Sequence, residues 1–248
     1  MTNQIAVWFS CGAASAVAAK MTIEKYGDTH NVRILNNPVA EEDADNRRFL
    51  LDVQDWLGYE IESVVNKKYP TSSIVDVFTA RSFMSSPKGA PCTFELKKKA
   101  RQNWEKDNHV DYNVLGFTAE EEMRHKRFLL TERDNLLPVL IDAGITKAMC
   151  FDIVRAAGIR LPDVYSRGFP NANCIGCVKA TSPTYWNLVR KEYPDVFAAR
   201  AEQSRQIGAR LVRVKGIRIF LDELKETDKG RPLKTDDFEC GLFCEEKQ

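Results

Sequence analysis

Four short apolar runs are separated by stretches of helical periodicity, and this alternation constrains the fold more than any other feature. The runs are "QIAVWF" from Gln4, "VRILNN" from Val32, "EIESVV" from Glu60 and "YNVLGF" from Tyr112. Between the first two, "SAVAAKMTIEKYG" reads as a helix closed by Gly27. Between the next two, "EEDADNRRFLLDVQDWLG" has an acidic first turn and places Phe49, Leu50, Val53, Trp56 and Leu57 on one face, with Gly58 at its end. Before the fourth run, "CTFELKKKARQNWEK" is a basic helix with Leu96, Ala100 and Trp104 on one stripe. Strand-helix-strand repetition of this kind predicts an α/β class: a Rossmann-like parallel sheet with helices on both faces. In such a sheet ligands sit beyond the carboxyl ends of the strands. The turns following Phe9, Asn36 and Gly116 are therefore expected to line one site.

The second half of the chain has a different texture. "ITKAMCFDIVRAAG" is helical, "IRLPDVYSRGFPNANCIGC" extended, and "SPTYWNLVRKEYPDVFAARAEQSRQIG" helical with a break at Pro194. A small strand pair is expected about Lys215 and Gly216, followed by a tail of little periodicity. The expected organisation is a nucleotide-binding α/β core over residues 1–145 and a C-terminal helical and irregular appendage over 146–248, integrated into one domain.

Charge excludes some partners. A formal net charge of +1 argues against a chain built to coat nucleic acid or membrane. No stretch has the length and apolarity of a bilayer span, and the first residues lack the pattern of a signal peptide. The expected location is the cytoplasm. There, thiols stay reduced, so seven cysteines lean towards metal or redox chemistry rather than disulfides. Cys150, in the apolar pattern "KAMCFDIV", reads as core. Cys11, Cys92, Cys174, Cys177, Cys240 and Cys244 sit at turns or element ends. His30, His109 and His125 carry little signal, and Trp186 reads as core.

"FSCGAAS" follows the first strand and opens the first helix. A phosphate needs closely approaching backbone N–H groups at a helix N-terminus, and small side chains permit that approach. Gly12, Ala13 and Ala14 supply the room, with Ser10 and Ser15 as hydroxyl donors.

This loop resembles the S-G-G-x-D-S pyrophosphate loop of the adenine nucleotide α-hydrolase superfamily, with Ser10, Gly12 and Ser15 retained. Cys11 stands where that pattern has Gly, and Ala14 where it has Asp. Within the superfamily, "PCTFELKKKA", "GFTAEEEMRHKR", "LPDVYSRGFPNANCIGCVKA" and "ECGLFC" are similar, in this order, to segments of the phosphoadenosine and adenosine phosphosulfate reductases. Pro91 replaces the first Cys of their Cys-Cys pair, and Phe243 replaces the His of their E-C-G-L-H motif. Family members of this type are also carried by phages and mobile elements.

The resemblance implies a sulfonucleotide reductase-like enzyme that reduces an adenosine phosphosulfate to sulfite. Ser10, Cys11, Gly12, Ala13, Ala14, Ser15, Asn36, Lys97, Gly116 and Arg124 would contact the nucleotide. Cys240 would be the nucleophile, and a thioredoxin-like protein the reductant. Lys97 and other basic residues would favour the thiolate. Cys92, Cys174 and Cys177 would ligate a 4Fe–4S cluster, with Cys244 completing the set or one iron left open. Thiolates suit zinc equally, so a zinc site on Cys174, Cys177, Cys240 and Cys244 stays open as the alternative. Two other functions also stay open. One is ATP-dependent sulfur insertion into a nucleic acid or nucleoside, which Ala14 disfavours; the other is nucleotide binding without catalysis. A homodimer is compatible with all of them.

Overall fold

The computed structural model describes residues 2–86 and 89–233. In chain order the elements are β1 (Gln4–Trp8), α1 (Ala13–Tyr26), β2 (Asn31–Asn36), α2 (Asp45–Leu57), β3 (Ile61–Ser63) and α3 (Ile74–Arg81). A π-helix (Thr93–Lys99) runs into α4 (Ala100–Asp107), followed by β4 (Tyr112–Val114), α5 (Glu122–Thr131), β5 (Leu136–Leu137), α6 (Val139–Asp142) and α7 (Lys147–Ala156). Then come α8 (Asp163–Ser166), α9 (Pro183–Glu192), α10 (Pro194–Ile207), β6 (Val212–Val214) and β7 (Ile217–Ile219). They form two compact units that interleave along the chain. Segments 1–38, 44–65 and 100–163 make the first; segments 39–43, 66–99 and those from 164 onward make the second. Among the described residues, no helix is long and apolar enough to cross a membrane.

The first unit carries the expected α/β architecture. Its five strands are all parallel, in the order β3-β2-β1-β4-β5. Ile5, Val7 and Phe9 point into one apolar cluster with α1 residues Ala13, Ala16, Val17, Ala18 and Ala19 and α7 residues Cys150 and Val154. The alanines let α1 lie close against the strands. Trp8, one residue out of phase, points to the other face. There its Nε1 donates to Asn113 Oδ1 at 3.0 Å, and its ring meets Trp104 of α4 edge-on at 5.9 Å. Helices therefore cover both faces, as the alternation predicts.

The acidic stretch before α2 divides its labour. Asp45 opens α2 and takes a two-pronged bond from Arg48, Nε to Oδ1 at 2.7 Å and Nη2 to Oδ2 at 2.6 Å. Arg160 Nη2 and the Asp163 backbone N–H also donate to it. The Arg48 bond holds the Asp45 carboxyl down at about 2, against a smaller opposing push from burial. A lowered carboxylate stabilises the fold above its unfolded value, and that stabilisation is lost as pH falls through the folded value. Asp45→Asn is expected to cost about 2 kcal/mol at pH 7 and almost nothing at pH 2, flattening the acid limb of stability between about pH 4 and about pH 2. Urea unfolding at the two pH values checks this.

In the second unit, Glu41 caps a different helix from the one its sequence position suggests. Its carboxylate accepts from Ser73 Oγ at 2.5 Å and from the Ile74 N–H at 2.9 Å, the start of α3. The basic stretch read as one helix begins as a π-helix, and its wider turn buries Thr93, Glu95, Leu96 and Lys97 together. An antiparallel pair, β6 and β7, turns at Lys215 and Gly216 as expected. The core here gathers Phe78, Met84, Leu96, Phe169, Trp186, Val189 and Leu211.

Candidate functional site

The strand order decides where the first unit can bind. Going outward from β1, the chain runs to β2 and β3 on one side and to β4 and β5 on the other. The connections leaving β1 and β4 run to opposite sides, so the carboxyl ends of these strands are the switch point of the sheet. The β1–α1 loop is Ser10–Gly12. Gly12 is the N-cap of α1, in extended conformation, with no side-chain cap among the described residues. The first N–H groups of this fourteen-residue helix thus face outward with the positive end of its dipole. Gly12 and Ala14 are half-buried, Ala13 and Ser15 buried, and Ser10 exposed. Ser15 Oγ donates to Gly12 O at 2.9 Å and accepts from the Ser10 N–H at 3.1 Å, which folds the loop back on itself.

Two further features fix the loop. Cys11 has φ 55°, the left-handed region that costs an ordinary residue roughly 1–2 kcal/mol and glycine nothing. This explains on conformational grounds why the resembling pattern has Gly there. Its buried thiol takes a long contact of 3.7 Å from Asn36 Nδ2, which also donates to Phe9 O at 2.8 Å. Beyond β4, Gly116 presses on the start of α1: a Cβ added to it would stand 2.7 Å from Ser15 N and 2.9 Å from Ser15 Cα. Ser10, Cys11, Gly12, Ala13, Ala14, Ser15, Asn36 and Gly116 are thus gathered at the strand ends. Arg124 sits on α5, bonded to Glu121 Oε1 at 2.6 Å and stacked over Phe117 at 4.9 Å.

The second unit holds the other group. Cys92, at the entry to the π-helix, and Cys174 and Cys177 are all buried free thiols in one core cluster. The turn between Cys174 and Cys177 needs Gly176, whose φ is 71° and whose added Cβ would meet Val196 Cγ1 at 3.2 Å. The Cys177 N–H donates to Tyr185 Oη at 2.8 Å. Cys174 and Cys177, with Phe169, Asn171, Asn173 and Tyr185, line a small cleft with a cavity volume of about 10 Å³. A hydrogen bond from the Cys174 thiol pulls Cys177 below its ordinary value; burial opposes this, and Lys179 and Lys97 assist. Burial pushes the Tyr185 phenol well up, so it stays protonated. Lys97 belongs to this unit, beside the thiols.

These residues fit a thiolate-ligated group in kind. Three thiols from two distant segments belong to one buried core cluster, and Lys179 and Lys97 act on Cys177. Among the described residues, no set of three Cys, His, Asp or Glu side chains already stands in ligating geometry. Cys240 and Cys244 lie outside the described residues, so neither the nucleophile nor the fourth ligand is placed. The fold and loop define an α/β protein of Rossmann-like class. No protein-family model matches the chain, and no curated protein matches it.

Sequence reasoning missed two residues at the thiol cluster, Tyr185 and Arg200. Arg200 did leave a trace: it lies on the buried stripe Phe197, Ala201 and Ser204 of α10, where a charge needs a reason.

Proposed function

We propose that this chain is a sulfonucleotide reductase-like enzyme of the adenine nucleotide α-hydrolase type. The observation that carries the reading is the junction of the uncapped α1 N-terminus with Gly116 at the point where the strand order reverses. That switch point suits the phosphate end of an adenosine phosphosulfate, received by backbone N–H groups of the first helical turn. In this reading the Cys240 thiolate attacks the terminal sulfur of the phosphosulfate. The sulfur–oxygen bond breaks, its electron pair leaves on the adenosine phosphate, and an S-sulfocysteine results. A thioredoxin-like dithiol then supplies two electrons: one thiolate attacks the cysteine sulfur and expels sulfite, and the second closes the disulfide and frees Cys240. Cys92, Cys174 and Cys177 would hold the iron–sulfur group, which supplies a redox-active, thiolate-bound centre when present. A reducing cytoplasm suits this chemistry.

Calorimetry with adenosine 5′-phosphosulfate, its 3′-phosphorylated form and ATP tests the reading, combined with product analysis under anaerobic conditions. Binding of a phosphosulfate with release of sulfite is the expected result, and Cys240→Ser is expected to keep binding while sulfite falls to background. Release of AMP and pyrophosphate from ATP would overturn reduction in favour of sulfur insertion. Nucleotide binding with no product would leave a binding protein.

A further inference from the structure

The second unit contains a buried cation that the proposed chemistry does not yet use. Arg200 is 3% exposed, and among the described residues its Nε has no hydrogen-bond partner. An unsatisfied buried donor is costly, more so when charged, so its persistence needs an acceptor. The guanidinium is held by two neighbours. It stacks over Phe78 at 5.2 Å, and its Nη1 donates to Gln203 Oε1. Gln203 Nε2 is tied in turn to Val75 O at 3.1 Å and Thr79 Oγ1 at 3.3 Å on α3. The open Nε faces the Cys174–Cys177 turn, lying 3.8 Å from where a Gly176 Cβ would stand. Burial pushes the guanidinium below its ordinary value, while Glu41 and then Cys174, Cys92 and Cys177 push it back up. Glu41 is already engaged, since Ser73 and Ile74 donate to its oxygens. The three sulfurs are the further negative influences on the guanidinium beside that carboxylate.

We propose that Arg200 is the fixed counter-cation of the three-thiol site, positioned by Phe78 and Gln203, and that the thiols hold a group of net negative charge to which its Nε–H donates. This rests on the reading of Cys92, Cys174 and Cys177 as ligands. A 4Fe–4S cluster on thiolates meets the requirement. A permanent positive charge beside such a cluster favours its reduced, more negative state, so removing the charge lowers the midpoint potential.

The test is anaerobic reconstitution of the full chain with ferrous iron and sulfide, for wild type, Arg200→Gln and Arg200→Lys. Iron and sulfide content, folding by circular dichroism and midpoint potential by EPR-monitored titration are measured on each. Wild type is expected to load. R200Q is expected to load but to show an about tenfold weaker reduction equilibrium, about 59 mV lower for one electron. R200K, which keeps the charge, is expected to recover most of that shift. If R200Q fails to fold, Arg200→Met, closer in volume and equally uncharged, takes its place and is expected to lower the potential in the same sense. A loaded R200Q, or in its place a loaded R200M, with the wild-type potential overturns the counter-cation while leaving the cluster reading intact. A wild-type chain that takes up no iron overturns both.

Discussion

Gly116→Val is expected to lower nucleotide affinity by about tenfold or more, a loss of at least about 1.4 kcal/mol of binding free energy. Gly116 has an ordinary backbone conformation, so the requirement for glycine comes from distance. A Cβ would sit 2.7 Å from Ser15 N, 2.9 Å from Ser15 Cα and 3.0 Å from Ala14 C, all backbone atoms. No rotamer change relieves a backbone contact, so either the β4 loop or the first turn of α1 must move. The first turn is where the N–H groups converge, and a displacement there spoils the alignment that anion binding needs. Overpacking adds about 1–3 kcal/mol of destabilisation. Gly116→Ala is expected to show the same effects in smaller measure. Calorimetry with the phosphosulfate ligand and a urea melt, run on both variants, separate binding from stability. Wild-type affinity in a folded Gly116→Val chain would mean that the nucleotide does not use this junction.

Trp186→Ala is expected to cost about 3–5 kcal/mol and to release the thiol site. The indole is fully buried, edge-on to Tyr185 at 5.3 Å and to Phe197 at 6.5 Å. Its Nε1 donates to Ala180 O at 2.8 Å, just beyond the second cysteine of the pair. The same ring would lie 3.7 Å from a Cβ on Gly176. One side chain thus packs the turn between Cys174 and Cys177 and pins the segment following it. Trp186→Phe keeps most of the apolar area and loses the N–H, leaving the Ala180 carbonyl unsatisfied, which costs about 1–3 kcal/mol. Urea unfolding ranks the two variants, and iron retention after anaerobic reconstitution reads the site. Full stability in Trp186→Ala would contradict the packing argument.

The sheet was legible because each strand carries its own local signal. Ile5, Val7 and Phe9 alternate with Ala6 and Trp8, and the helical stripe of Phe49, Val53 and Leu57 needs only a period of 3.6 residues to be seen. The loop from Ser10 to Ser15 was legible for the same reason, since its small residues follow one strand and precede one helix. Some short elements were not. β5 has only Leu136 and Leu137, too short for any period, and exists because β4 offers it an edge. The strand order, which puts Gly116 against Ser15, is a long-range pairing that no window of sequence contains.

The sequence by itself determined the α/β class, the position of the loop and where the thiols lie along the chain, because periodicity, small side chains and thiols are properties of single residues and their near neighbours. Only the tertiary structure decided that Glu41 caps α3 and that Cys92 joins the buried core cluster of Cys174 and Cys177. It likewise decided that the cation facing this cluster is Arg200, from a helix more than twenty residues further along the chain. These are outcomes of burial: each polar group taken from water must find a partner of the right charge, and which groups are brought within reach is set by how helices pack, at separations where local sequence is silent.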